Sequence, residues 1–363
     1  MTELPLHQFH HGLGAHSTEV NGMEVVDHYG DALSEYAALR DTAGVLDLSL
    51  RGRLSVGGTD RQRFLNGQVT NNVKDLKSGE GCYAALVTAK GKMVSDLHIY
   101  CLPDELLLDF EPGLTGAVTE RLEKFIIADD VQVVNAAQYY GLLSAQGPKS
   151  AQVVDQLGFG LSLPQKPFGS ASVKDPTLGE VYFMNQPRIG TVGFDLFIPD
   201  AALGAVAHKL MAAAKQIGGC ACGWRALEMV RIEAGIPRFS VDMDDTNLAP
   251  EAGIEERAIN YNKGCYIGQE VIARIRTYGQ VAKSLRGLLL ADDLAELPKR
   301  GDKLVRGDKE AGFITSALAS PAFRRNIALG YVRREWNEPG TELRVRTQEG
   351  ESPARIVPLP FRF

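Results

Sequence analysis

The stretch Lys263-Gly264-Cys265-Tyr266-Ile267-Gly268-Gln269-Glu270 sets one cysteine between two glycines, beside a lysine. A run that reads as helix, with Val271, Ile272 and Ile275, follows at once. A thiol so placed is expected to feel a nearby cation and the positive end of a helix. Both favour the thiolate, the reactive form of cysteine. The bland alternative is a buried turn cysteine in a glycine-rich loop. Gln269 and Glu270 flank the thiol and can orient it, or can simply form the first helical turn, where Glu is favourable anyway. Arg274 and Arg276 lie further along the same helix, as a docking place for an anionic tail or as ordinary solvated charges. Upstream, Asn66, Gln68 and Asn71 can hydrogen-bond a ligand or cap a helix end and turn, and capping is the expected role.

The remaining chemistry-bearing residues form no metal pattern. Cys220 and Cys222 make a C-x-C pair with no second pair at zinc-site spacing, and read as small fillers near a helix start. Five cysteines in a long chain do not suggest a disulfide framework. Four of the seven histidines (His7, His10, His11, His16) fall in the first sixteen residues. Without an accompanying Cys, Asp or Glu cluster they read as a flexible tail.

Several elements must hold these groups in place. A chain of 363 residues is expected to form two or three domains. Its 44% hydrophobic and 23% charged residues are ordinary for a globular protein, and a net charge of -6 argues against a bulk nucleic-acid binder. No apolar run is long enough to span a membrane, and the first residues resemble neither a secretion nor an import signal. The expected location is therefore the cytoplasm. Helical periodicity covers 31–40, with Gly44 ending it and an extended run at 45–48. A strand at 54–56 precedes a helix carrying Phe64 and Leu65, with Asp60 as its cap. Strands at 82–88 and 93–100 flank a turn at Lys90-Gly91-Lys92. A strand at 106–110, a helix at 115–127 and a strand at 131–134 complete a first α+β unit.

A second unit repeats the style. It has strands at 140–145, 180–184 and 193–198, and helices at 151–157, 201–217 and 223–233. From 285 onward six short apolar runs (285–290, 302–305, 310–315, 327–332, 342–346, 354–357) alternate with turn residues, the pattern of a small β-barrel or sandwich. The resulting division is 20–140, 141–280 with the cysteine loop, and 281–363.

The octapeptide resembles the Lys-Gly-Cys-(Phe/Tyr)-x-Gly-Gln-Glu signature of the YgfZ-type folate-binding proteins, relatives of the T-protein of glycine cleavage. Other segments agree. Residues Glu35 to Ser49 are similar to the opening segment of the T-protein superfamily, and Phe64-Leu65-Asn66-Gly67-Gln68-Val69-Thr70-Asn71 resembles its FLxGQxTN segment. Arg231-Ile232-Glu233-Ala234-Gly235 resembles its RxEAG helix end, and Thr315 to Pro321 with Ala328 to Val332 its C-terminal barrel. The resemblance implies two α+β subdomains and a C-terminal small β-barrel around a central folate-binding channel.

The same resemblance implies site residues. Reduced pterin offers N–H donors that a carboxylate accepts, and the family position for that carboxylate falls on Asp195. The segment here is shorter, and Asp replaces Glu. Arg231 and Lys263 would contact the ligand, with Gln269 and Glu270 beside them. Asp96 falls in the region that reads GGxxDDL in the T-protein, where an acidic residue helps activate the folate nitrogen; Ser95 replaces the first aspartate. A tetrahydrofolate or derivative is the implied cofactor.

Three functions fit the sequence. In the first, bound tetrahydrofolate and Cys265 together support the assembly or repair of iron–sulfur enzymes, including tRNA-modifying ones. Iron–sulfur client or assembly proteins would be its partners. In the second, the protein is a folate-dependent aminomethyltransferase or demethylase. In the third, it is a non-catalytic folate-gated adaptor.

Overall fold

The computed structural model describes residues 1–279 and 281–362. Its contacts divide the chain into one unit of Met1–Leu86 with Ser95–Val230, and another of Val87–Val94 with Arg231–Phe363.

The first unit holds two larger sheets. The five-stranded sheet runs in the order Gly81–Val87, Met93–Cys101, Leu106–Phe110, Gly52–Gly57, Gln132–Asn135. The six-stranded sheet runs Ser170–Asp175, Gly179–Asn185, Gly193–Pro199, Tyr140–Gln146, Gly44–Asp47, Cys220–Ala221. The short strand Gly44–Asp47 thus leaves its sequence neighbours and pairs antiparallel with Tyr140–Gln146. Across the six-stranded sheet lies the helix Asp200–Gln216, which buries Leu203, Val206, Ala207, Leu210 and Ala214. These positions follow helical spacing, so they form one apolar stripe. The stripe packs with Leu143, Leu196 and Ile198 in one core, where each buried aliphatic side chain contributes about 1.5–3 kcal/mol.

The second unit is built on a closed six-stranded barrel, in the order Lys283–Leu290, Arg325–Arg333, Lys309–Ser320, Lys303–Arg306, Glu342–Thr347, Gly350–Val357. All six apolar runs read from the sequence became barrel strands. Closure removes the unpaired edges that an open sheet of this size would expose. The interior is filled by Leu288, Leu304, Ile314, Ala328, Val332, Val345 and Ile356.

Some expectations are corrected. The first residues are not a loose tail. His7–Gly12 is a short helix, and His16–Val20 pairs with Met23–His28 as a hairpin. His10 is 1% exposed and bonds Asp47 at 2.8 Å, while His7 bonds Glu24 at 2.7 Å. The histidines are anchored by carboxylates distant in sequence, which local composition could not reveal. Asp60 stands at the N-cap of Arg61–Gln68 but makes no side-chain cap bond; its Oδ2 accepts from the Asp130 amide. The helix expected over 115–127 is shorter, Thr115–Glu123, and the strand Ser170–Asp175 was not foreseen. No helix among the described residues is long and apolar enough to cross a membrane.

Candidate functional site

In the first unit, polar side chains recur at every second position of otherwise apolar strands. Strand residues i and i+2 share a face. Asp96 and His98 therefore point the same way from Met93–Cys101. Antiparallel register places Asp109 opposite both His98 and Arg53, on that same face.

These groups form a buried chain of alternating charge. Arg51 donates from Nε to Asp109 Oδ1 at 2.7 Å and from Nη1 to Glu111. Arg188 donates from Nη2 to Asp109 Oδ2 at 2.8 Å, and from Nε and Nη2 to Asp195 Oδ2 at 2.9 and 2.5 Å. Asp195 Oδ1 accepts from Ser144 Oγ at 2.7 Å, and Ser144 in turn accepts from Gln146 Nε2 at 2.8 Å. Asp109 and Asp195 are both 0% exposed. Burial alone would raise the Asp109 carboxyl, but Arg188, Arg51 and His98 hold it well below the usual carboxylate range. The neighbouring acids hold the Arg188 guanidinium well above its ordinary value despite burial.

Asp96 differs from the other acids. Its Oδ2 accepts from the Tyr83 hydroxyl at 2.8 Å, and its buried Oδ1 has no hydrogen-bond partner among the described residues. Burial, and secondarily the Glu111 charge, push its carboxyl up to about 6. Beside it, burial pushes His98 down to about 4, so its ring is neutral near pH 7. His98 Nδ1 lies 3.1 Å from Asp109 Oδ2, a geometry that places the ring proton on Nδ1. The His98 ring packs with Tyr83 at 5.2 Å and stacks with Phe168 at 5.9 Å. Phe168 holds φ at +60°, a conformation costly for a bulky side chain and common at functional sites.

The expected site residues are not all available to a ligand. Asp195 is inside the fold with both oxygens engaged, as given above. Asn66 Oδ1 accepts from the amides of Val73 and Lys74. Asn71 donates to Tyr83 O, and Gln68 accepts from Arg121. All three side chains thus hold turns or neighbouring side chains.

In the second unit, Arg231 is 4% exposed. It donates to Asp242 Oδ2 at 2.6 Å, to Ile236 O and to Ser316 Oγ. Glu233 accepts from Ser320 Oγ and the Ala322 amide. The octapeptide leads into the helix Gln269–Tyr278, whose N-cap is Gly268 at φ +84°. Cys265 is exposed and lies three residues ahead of that cap, outside the first turn where the dipole acts. The Lys263 ammonium packs over the Tyr266 ring at 5.1 Å. Gln269 opens the helix, and exposed Glu270 pairs with Arg274 at 2.6 Å, a surface contact worth little.

Sequence reasoning did not single out Arg51, Tyr83, His98, Asp109, Glu111 or Phe168. A signal was there: charged or polar residues at i and i+2 within or at the end of apolar strands (51 and 53, 96 and 98, 109 and 111) are unusual unless they meet one another.

The fold agrees with comparisons to known proteins. The GCVT N-terminal domain family matches residues 6–263, and the glycine cleavage T-protein C-terminal barrel domain matches residues 283–362. An aminomethyltransferase of Halothermothrix orenii is 27% identical, over 99% of this chain and 100% of the relative. One of Symbiobacterium thermophilum is 29% identical, over 98% and 96%. The crystal structure of glycine cleavage system aminomethyltransferase T from Bartonella henselae has the same fold, with a TM-score of 0.89 at 23% identity over 99% of this chain and 98% of that one. With both domain families matched in order along nearly the whole chain, this protein belongs to the glycine cleavage T-protein family.

Proposed function

We propose that this protein binds a reduced folate and transfers a one-carbon unit in the cytoplasm, with Asp96 as the carboxylate that handles the proton. The observation that carries the reading is the buried, unpartnered Oδ1 of Asp96 on a chain of the T-protein family. A buried acceptor without a donor costs free energy unless a ligand N–H completes it. The adjoining His98, Tyr83 and Phe168 rings suit a flat heterocycle. In this reading Asp195, which accepts from Arg188 and Ser144, anchors the buried cluster in place of the pterin-binding role expected from the resemblance.

Bound, a reduced folate supplies the nitrogen that takes up the one-carbon unit. Tyr83 fixes Oδ2 of Asp96 and leaves Oδ1 to exchange the proton. A carboxyl pushed up to about 6 gives and takes protons near neutral pH far more readily than one at the ordinary value. His98, tied to Asp109, keeps its ring fixed and uncharged beside it.

The test is incubation with tetrahydrofolate and an aminomethylated lipoyl carrier, followed by assay of methylene-tetrahydrofolate. The wild type is expected to turn over, and Asp96→Asn to lose about 100-fold or more, the usual share of an acid–base group. No turnover by the wild type overturns the transfer reading.

A second reading is favoured by one observation, the exposure of Cys265 within an octapeptide like that of the YgfZ-type proteins. There the folate-bound protein supports the assembly or repair of iron–sulfur enzymes, with Cys265 as the working thiol. Deleting the gene in its host and restoring wild type or Cys265→Ala tests it. Rescue of iron–sulfur enzyme activity by the wild type alone is the expected result, and full rescue by the variant sinks the idea.

A further inference from the structure

A cavity of about 290 Å³ opens in the first unit beside the Arg188 cluster, lined by Arg53, the cross-strand partner of Asp109. None of Asp96, His98, Asp109, Arg188 or Asp195 lines it. Its walls are Tyr139, Tyr140, Tyr182 and Phe197, and Arg53 and Glu105 are its charged members. The volume is at the small end of ligand pockets, about 300–1,000 Å³, and suits a single ring rather than an extended cofactor.

Arg53 makes this cavity unusual. It is 0% exposed. Its Nη2 donates to Ser49 O at 3.1 Å and Ala137 O at 3.4 Å. Nε and Nη1 have no hydrogen-bond partner among the described residues. Burial pushes the guanidinium down to about 10, so it remains charged near pH 7. Asp109 and Asp47 offset part of its charge, but the two unused donors of a buried cation remain costly. Its neighbour Glu105 accepts from the Ser55 hydroxyl.

Exposure gives the cavity a direction. Tyr139 is 57% and Val134 44% exposed, whereas Phe197 is 1% and Leu107 6% exposed. The rim is therefore at Tyr139 and Val134, and the floor at Arg53, Phe197 and Leu107. A ligand entering this way brings an acceptor to Arg53 and packs an apolar body against the aromatic walls. Glu105 opposes a second negative charge.

We propose that this cavity is a binding site for a small monocarboxylate with a single-ring or branched apolar body, its carboxylate held by Arg53. The probe is phenylacetate, with 2-phenylethanol as its uncharged counterpart, titrated by calorimetry near pH 7.5. Phenylacetate is expected to saturate one site. 2-Phenylethanol, and phenylacetate on Arg53→Met, are each expected to bind at least about tenfold more weakly, or 1.4 kcal/mol. Val134→Trp, which narrows the rim without touching Arg53, is expected to weaken phenylacetate comparably. Absence of saturable binding to the wild type, as in a cavity that holds only water, overturns the proposal. So does unchanged affinity in Arg53→Met. Should Arg53→Met fail to fold, unchanged affinity in folded Val134→Trp overturns it.

Discussion

Arg188 bonds both Asp109 and Asp195, at 2.8 and 2.5 Å, and those two aspartates lie in different sheets of the first unit. One guanidinium thus ties the five-stranded sheet to the six-stranded one. Removing it leaves buried Asp195 without its cation and Asp109 with Arg51 alone. Arg188→Met is expected to destabilise the protein by about 3–5 kcal/mol, the usual cost of breaking a buried pair from one side. Urea unfolding near pH 7 measures this. Asp109, held below its ordinary value, contributes stability that is present above about pH 4 and lost as the pH falls toward its lower folded value. The variant should show a weaker loss over that acid range.

Asp96 has the opposite sign. Its folded value of about 6 lies above an unfolded value of about 3.9. The native state therefore holds the proton more tightly between those limits, and ionising Asp96 costs stability as pH rises through them. Asp96→Asn should stabilise the protein by on the order of 2 kcal/mol at pH 8 and change little at pH 4. Unfolding curves at the two pH values decide it, and a variant less stable at pH 8 would contradict the assignment. Stability gained where activity is lost is the usual mark of a group kept for function.

The two glycines flanking Cys265 differ. At Gly268, φ is +84° and an added Cβ would lie 2.4 Å from Thr88 O; at Gly264 an added Cβ would meet nothing within 4 Å. Gly268→Ala is expected to cost at least about 1 kcal/mol, and Gly264→Ala to stay within about 0.5 kcal/mol. Thermal melts of the pair check this contrast.

Exposure orders the thiols. Iodoacetamide followed by peptide mass spectrometry should label Cys265 first and the buried Cys101 and Cys222 only on unfolding. Burial also pushes both of the latter thiols up, which slows them further. Cys265→Ala should leave stability within about 0.5 kcal/mol. Equal labelling of Cys222 in the folded protein would contradict this order.

Legibility in the sequence followed the range of the interactions. The six barrel strands, the stripe of Asp200–Gln216 and the Lys90-Gly91-Lys92 turn were readable because side-chain periodicity and turn chemistry act over a few residues. The octapeptide and the ordered family segments also carried the superfamily. Tertiary structure alone decided that Arg188 meets Asp109, 79 positions away, that Asp195 turns inward to a cation, and that Asp96 keeps one oxygen unpaired. It also decided that His10 folds back onto Asp47. Such pairings depend on strand register and sheet order, and on how far burial raises the cost of each unpaired charge. Those are properties of the packed chain, which the spacing of residues along it does not encode.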